Sequence, residues 1–199
     1  MTAALLSSDS HRICHLHVHS EYSLLDGMST PVEMARAAST NGQTSLAITD
    51  HGSMAGVLKF QDACKAKNVK PIFGIEAYFT PSLVDDDMDA KAERFHLILL
   101  AKNNDGLTKL FKLNKEAWTN GFYYKPRMDF AMLERVAKND IIALSGCRGS
   151  AIAKAIESGD SSRAERLTKK FIDIFGDDFY SHCRMLLFEL EADSLTPGH

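Results

Sequence analysis

Three histidines occupy alternate positions in "HLHVHSEYSLLDG": His15, His17 and His19, with Asp26 seven residues after the last of them. Alternate side chains of an extended segment point to one side. The stretch therefore predicts a strand with an imidazole row on one face and Leu16 and Val18 on the other. A neutral imidazole presents one lone pair at ligand distance while its second nitrogen is held by a neighbouring group, so a row of imidazoles suits a divalent metal. His17 and His19 are the expected ligands. His15 lies one pair deeper and is expected to support them or to sit in the core.

Other residues of the same chemical kind recur along the chain. His51 closes "AITDHG", Glu76 lies in "GIEAY", His96 in "RFHLILL" and Cys147 ends "ALSGC". Taken singly, His96 between Phe95 and Leu97 reads as a hydrogen-bonded core histidine, and Cys147 as a small buried hydrophobe. Glu76 is harder to place in a core, because a buried carboxylate needs a cation or a proton. Asp50 points away from His51 in an extended segment and is expected to cap or pair rather than to ligate. The coincidence carries the inference: five successive units each deliver a nitrogen, oxygen or sulfur ligand of the type a borderline metal takes.

The elements that must position these residues alternate between strand and helix. "ICHLHVHS" predicts the first strand. "TPVEMARAAST" predicts a helix with Thr30 as N-cap, Pro31 at its first position and Glu33 completing a capping box. "SLAITDHG" is a second strand, and "SMAGVLKFQDACKAKN" an amphipathic helix capped by Ser53. "KPIFGIEAYF", "RFHLILLAKN" and "DIIALSGC" are further strands. Helices are expected from Asp105 to Trp118, Ala151 to Glu157 and Arg163 to Phe175, with one more strand in the tail. This order predicts an α/β fold with a largely parallel sheet, open or closed into a barrel, whose site lies at the carboxyl ends of the strands.

Composition sets the limits. The 199 residues are 45% hydrophobic and 25% charged, as in ordinary globular chains. The net charge of −3 gives no general attraction to nucleic acid or anionic membrane. Between Lys102 and Arg127, however, six basic residues face two acidic ones, with Phe122, Tyr123 and Tyr124 interleaved. That stretch suits a strand of nucleic acid held by charge and stacking, through Lys125 and Arg127. It equally suits a solvated helix followed by an aromatic-anchored loop. The acidic run Asp85 to Asp89 reads as a solvated loop. No apolar run reaches membrane-spanning length, "MTAALLSSDSHR" lacks the features of a signal peptide, and the four cysteines show no paired spacing. A reducing, cytoplasmic setting without membrane contact is expected.

In this order and spacing, "HLHVHSEYSLLDG", "AITDHGSMAGVLKF", "KPIFGIEAY", "HLILLAKN", "GFYYKPRMD" and "IIALSGC" resemble the PHP (polymerase and histidinol phosphatase) domain. More narrowly, they are similar to the PHP domains at the N-terminus of bacterial DNA polymerase III alpha subunits. The likeness runs from residue 13 to 180, leaving 1–12 as an N-terminal tail and 181–199 as a divergent C-terminal segment. It implies a distorted (β/α)7 barrel holding up to three divalent metals, Zn²⁺, Mn²⁺ or Fe²⁺. The implied ligands are His17, His19, Asp26, His51, Glu76, His96 and Cys147. Glu76 would bridge two metals, and Glu76, His17 and His19 form the catalytic core. The implied reaction is phosphoester hydrolysis, and in some polymerase-borne members 3′–5′ exonuclease proofreading.

One departure qualifies the likeness. The family supplies two further ligands from a late Asp-x-His motif, whereas Tyr180 and Pro197 stand two places before His182 and His199. Fewer metals and a barrel incomplete at its C-terminus are therefore expected, and the polymerase catalytic regions lie outside these residues. Three functions remain in view. The first is a metal-dependent phosphoesterase centre in DNA replication, acting on a DNA 3′ end. The second is a non-catalytic metal-binding module for polymerase or proofreading partners. The third is a small-molecule phosphatase acting on a histidinol-phosphate-like substrate.

Overall fold

The computed structural model describes residues 13–83 and 94–181. The acidic run at Asp85–Asp89, the N-terminal tail and nearly all of the divergent C-terminal segment lie outside them.

Helix α1 (Pro31–Thr40) begins as its sequence dictates: the Thr30 side chain accepts from the Glu33 backbone, and Glu33 reaches back to the Thr30 N–H. Strand β1 (Ser45–Ile48), helix α2 (Val57–Ala66) and strand β2 (Lys70–Phe79) follow. Next come β3 (Phe95–Ala101), α3 (Asn104–Thr119), β4 (Phe122–Tyr123) and β5 (Lys125–Met128). The chain continues through α4 (Phe130–Val136), β6 (Ile141–Leu144), α5 (Ala151–Glu157), α6 (Ser161–Phe175) and β7 (Phe179–Tyr180).

The sheet is mixed rather than largely parallel. Its seven strands run in the order β4-β5-β2-β3-β6-β7, with β1 also paired to β2. Strands β1 and β5 are parallel to β2, and β7 to β6, but β3 is antiparallel to both β2 and β6. The reversal has a purpose for the site. It sets the start of β3 beside the far end of β2, with His96 opposite Tyr78 and Ile98 opposite Glu76.

Directly opposed residues share a face, so β2 and β3 present Glu76, Tyr78, His96, Ile98 and Leu100 on one side. Against the other side pack Ile75, Phe79, Leu97 and Leu99, which belong to the main core with Phe60, Leu110, Leu113, Leu133 and Phe171. The site-bearing face is polar at one end and apolar at the other. At the apolar end Ala47, Ile98, Leu100 and Leu144 form a separate small cluster with Leu16, Ile72 and Ile142. Leu16, Ile72, Leu100, Ile142, Leu144 and Tyr180 line a cavity of about 830 Å³ there.

Two local expectations fail. Residues 13–20 form no strand, and the chain bends at His17. The Val18 N–H bonds the Thr49 hydroxyl at 2.8 Å and the Ser20 N–H bonds Asp50 Oδ1 at 2.6 Å, so side chains take donors a ladder would need. Two backbone bonds, Ala47 N–H to His15 O and Thr49 N–H to Val18 O, tie the segment to β1 and the residue after it. Ser53 is not a helix cap: α2 starts at Val57 without a side-chain cap, and the Ser53 hydroxyl accepts from Ala55 N–H in the preceding turn. The hairpin β4–β5 and helix α4 were not foreseen.

Candidate metal centre

The His segment before α1, the turn after β1, β2, the start of β3 and the loop after β6 converge on Glu76. Its carboxylate is 1% exposed and faces four imidazoles. Oε1 lies 3.1 Å from His17 Nε2 and 3.0 Å from His96 Nδ1. Oε2 lies 3.2 Å from His19 Nε2 and 2.7 Å from His51 Nδ1. His51 turns its other nitrogen to Asp26, with Nε2 2.9 Å from Oδ2. Cys147 Sγ stands 3.5 Å from His96 Nδ1 and 4.0 Å from Glu76 Oε1. All seven residues expected as ligands thus fall in one place.

The geometry fits cations better than hydrogen bonds alone. His51 Nδ1 and Glu76 Oε2 are buried and close, yet neither has a properly aligned hydrogen bond. His17 Nε2 and His19 Nε2 meet head-on at 3.0 Å. Ligand atoms around a tetrahedral ion with metal–ligand bonds of about 2.0–2.3 Å lie about 3.3–3.8 Å apart. The spacings of 3.0–3.5 Å here are within a few tenths of an ångström of that, while His51 and Glu76, at 2.7 Å, are closer. Three groups meet the requirement of mutual proximity: His17, His19 and Glu76; His19, Asp26 and His51; His51, Glu76 and His96.

Charge and protonation follow from the packing. Burial alone would push the Glu76 carboxyl up, but the close imidazoles of His17, His19, His51 and His96 hold it well below the usual carboxylate range. The Glu76 contact raises His51 against the opposing effect of burial. Cys147, then Glu76, lift His96 to about 10, and the same His96 contact lowers the Cys147 thiol. A thiol shifted toward thiolate is shifted toward its metal-binding form.

Asp50, set aside as a ligand, organises the loop. It is 1% exposed and accepts from the Ser20 N–H, the Ser20 hydroxyl and the Ser23 hydroxyl. Ser23 was not singled out in the sequence. Neither was Tyr78, which stacks on His51 at 5.8 Å and meets His96 edge-on at 5.8 Å. Its signal was available, since Tyr78 is two residues past Glu76 on the same strand face. His15 departs from expectation: its side chain is exposed and only its carbonyl serves, accepting from Ala47. His96 occupies the beginning of its strand, not the end, because β3 is reversed.

The two residues expected to contact phosphate differ. Lys125 is exposed, with Nζ 5.3 Å from the Tyr78 ring centre. Arg127 is 6% exposed, packs over Tyr123 and donates Nε–H to the Gly121 carbonyl at 3.1 Å, so its position holds the hairpin.

Comparison with known proteins agrees with the geometry. The PHP domain matches residues 15–182. The DNA polymerase III subunit alpha of Aquifex aeolicus is 39% identical over 188 residues, covering 91% of this chain and 16% of that protein. That of Treponema pallidum is 42% identical over 168 residues, 83% of this chain and 14% of its own length. The chain therefore spans about a sixth or less of these relatives. Among solved structures, a Bifidobacterium adolescentis protein assigned provisionally as a metal-dependent phosphoesterase is 12% identical, covering 84% of this chain and 88% of its own, at a TM-score of 0.45. The match over residues 15–182, with the polymerase III alpha relatives beside it, places the chain in the PHP domain family.

Proposed function

We propose that this chain carries a divalent-metal phosphoesterase centre, acting on the 3′ end of DNA in the setting of a replicative polymerase. One observation supports it above the rest: a single buried carboxylate, Glu76, faces four imidazoles, with a thiol and a second carboxylate within reach of the same group. In this reading His17, His19, Asp26, His51, Glu76, His96 and Cys147 hold Zn²⁺, Mn²⁺ or Fe²⁺. Glu76, His17 and His19 lie at the reacting centre. Bound ions supply Lewis acidity and neutralise phosphoester charge. The protein's part is to fix the donors, to orient His19 and His51 through Ser23, and to leave Asp26 and Lys125 at the open side. The polymerase III alpha relatives support a replication context, with polymerase or proofreading subunits as partners and the cytoplasm as location. Among the described residues no helix is long and apolar enough to cross a membrane.

A second reading rests on a different aspect of the same site. The centre joins the segment 13–20, which has few ladder bonds, to β2, β3 and the turns after β1 and β6, so bound metal would also act as a staple. In that case the domain is a metal-stabilised module for polymerase partners without hydrolysis. Elemental analysis of the purified chain, with phosphate release from a 3′-phosphorylated oligonucleotide, nucleotide release from a 3′-hydroxyl end and hydrolysis of histidinol phosphate, separates these readings. Metal at one or more ions per chain with turnover of a DNA end supports the first. Metal with a raised melting temperature and no turnover supports the second. Turnover of histidinol phosphate alone moves the assignment to a small-molecule phosphatase. Less than one ion per chain, with no thermal response to Zn²⁺ or Mn²⁺, overturns the metal centre.

A further inference from the structure

An aromatic pair stands at the edge of the centre and is bonded to it through the backbone. Trp118 ends an exposed stripe of α3 and donates its indole N–H to the Gly52 carbonyl at 3.0 Å. Gly52 directly follows His51, and its own N–H donates to the Glu76 carbonyl at 2.9 Å. The Trp118 ring is therefore two hydrogen bonds from the strand that carries Glu76. It lies nearly parallel to Phe122, with 5.5 Å between ring centres and 21° between planes. Both are about half exposed, at 51% and 53%.

Burial does not account for this arrangement. An aromatic pair placed only to complete the core would be covered, as Phe79, Phe130 and Phe171 are. Here the indole edge is fixed by its hydrogen bond while much of the ring area stays open. Gly52 adopts φ +57°, and a Cβ there would meet Pro126 Cγ at 2.8 Å, so the carbonyl that holds the indole comes from a position only glycine fits. Two exposed cations lie nearby. Lys115 is one turn back from Trp118 on α3. Lys125 pairs with Tyr123 rather than Phe122 and reaches over the Tyr78 ring that stacks on His51, on the side of the centre. The spacing 111, 115, 118 follows one face of α3, with Phe111, 45% exposed, continuing the stripe away from the centre, and Phe122 meets Trp118 from the strand that follows.

Flat, fixed, half-open rings beside lysines, next to a phosphoester-type centre, match a base and its phosphate backbone. The lysines beside the rings favour a polyanionic strand over an apolar peptide. We propose that the Trp118–Phe122 pair is a base-binding shelf. It takes a nucleobase of a single strand whose phosphoester reaches the Glu76 centre, with Lys115 and Lys125 against the flanking phosphates. This rests on the phosphoesterase reading and adds to it the recognition of a base, without choice of base identity, since every base offers a π-face.

Trp118 is the only tryptophan in the 199 residues, so its emission reports on the shelf directly. The test titrates the full chain, with and without Zn²⁺, using a ten-residue oligothymidylate and an abasic oligomer of equal length and phosphate count. Oligothymidylate is expected to quench the emission and to bind at least tenfold more tightly than the abasic strand. Phe122→Leu, which keeps apolar bulk but removes the π-face, is expected to bring the two affinities together while metal content stays unchanged. Equal affinity of the wild-type chain for both strands, or a preference that survives Phe122→Leu, overturns the shelf. The readout is independent of turnover. Base-dependent quenching without hydrolysis keeps the shelf and removes the enzyme, whereas hydrolysis without base-dependent quenching does the reverse.

Discussion

Ser23 Oγ lies 3.0 Å from His19 Nδ1 and fixes which nitrogen of that ring carries the proton. The hydroxyl has one hydrogen, which goes to Asp50 Oδ1 at 2.8 Å, and it already accepts from the His51 N–H at 3.0 Å. Asp50 can only accept, so His19 Nδ1 must donate to Ser23. A neutral His19 then turns a bare Nε2 lone pair toward Glu76 and His17. Ser23→Ala should lower metal affinity about 10–100-fold, the usual effect of losing a group that orients a ligand. It should also lower stability by about 1–3 kcal/mol, because buried partners of the hydroxyl are left unpaired. Competition with a chromogenic chelator and urea unfolding measure the two effects. Unchanged affinity would mean that the His19 tautomer is set by another group.

Glu76→Gln should be the most damaging conservative change at the centre. The carboxylate offers two equivalent oxygens and a charge, each facing two imidazoles, whereas an amide keeps one acceptor and no charge. Metal per chain is expected to fall by at least one ion relative to wild type. Equal loading in the two proteins, by elemental analysis, would take Glu76 out of the coordination set.

The cysteines should separate by reactivity. Cys64 is fully buried and burial pushes its thiol up to about 11, so at pH 8 about one molecule in a thousand carries the thiolate. Cys147 is partly exposed, and the His96 contact lowers its thiol. In metal-stripped protein, iodoacetamide should modify Cys147 at least tenfold faster than Cys64, and adding Zn²⁺ should protect Cys147. Peptide-level mass spectrometry distinguishes the sites. Modification of Cys147 at the same rate with and without Zn²⁺ would leave it a bystander thiol.

Gly106→Ala tests how α3 is seated. Helix propensity favours alanine by about 1 kcal/mol, yet a Cβ at 106 would meet the Asp140 carbonyl oxygen at 2.1 Å. Asp140 is fixed there by Asn103 and Lys109. The backbone clash should outweigh propensity, giving a net loss of about 1–3 kcal/mol, the scale of overpacking. Urea unfolding of the variant decides the sign, and a more stable variant would show that the α3 start moves freely from β6.

The candidate site was more legible in the sequence than the sheet that holds it. Glu76 betrayed itself by sitting in an apolar strand, and His51, His96 and Cys147 by closing or opening apolar runs. Those cues depend only on local chemistry. The antiparallel course of β3 could not be read this way, because a short apolar run looks the same in either direction. Nor could the missing strand at 13–20, whose alternation was genuine but whose donors go to Thr49 and Asp50 across some thirty residues. The β4–β5 hairpin carries no ordinary turn signal, because Tyr124 supplies its turn at φ +57°, where glycine or asparagine is the usual cue.

The pairing of β2 with β3 acts as a gauge for the whole centre. Opposite faces of β3 serve different ends: His96 and Ile98 turn inward, while Phe95, Leu97 and Leu99 are locked among the helices. A slip of a single residue would exchange the faces. It would bring Phe95 or Leu97 to the carboxylate and send His96 into the packed helical layer. Core and coordination therefore stand or fall on the same alignment, so Leu97 and Leu99 help select the inward-facing donor without ever touching it.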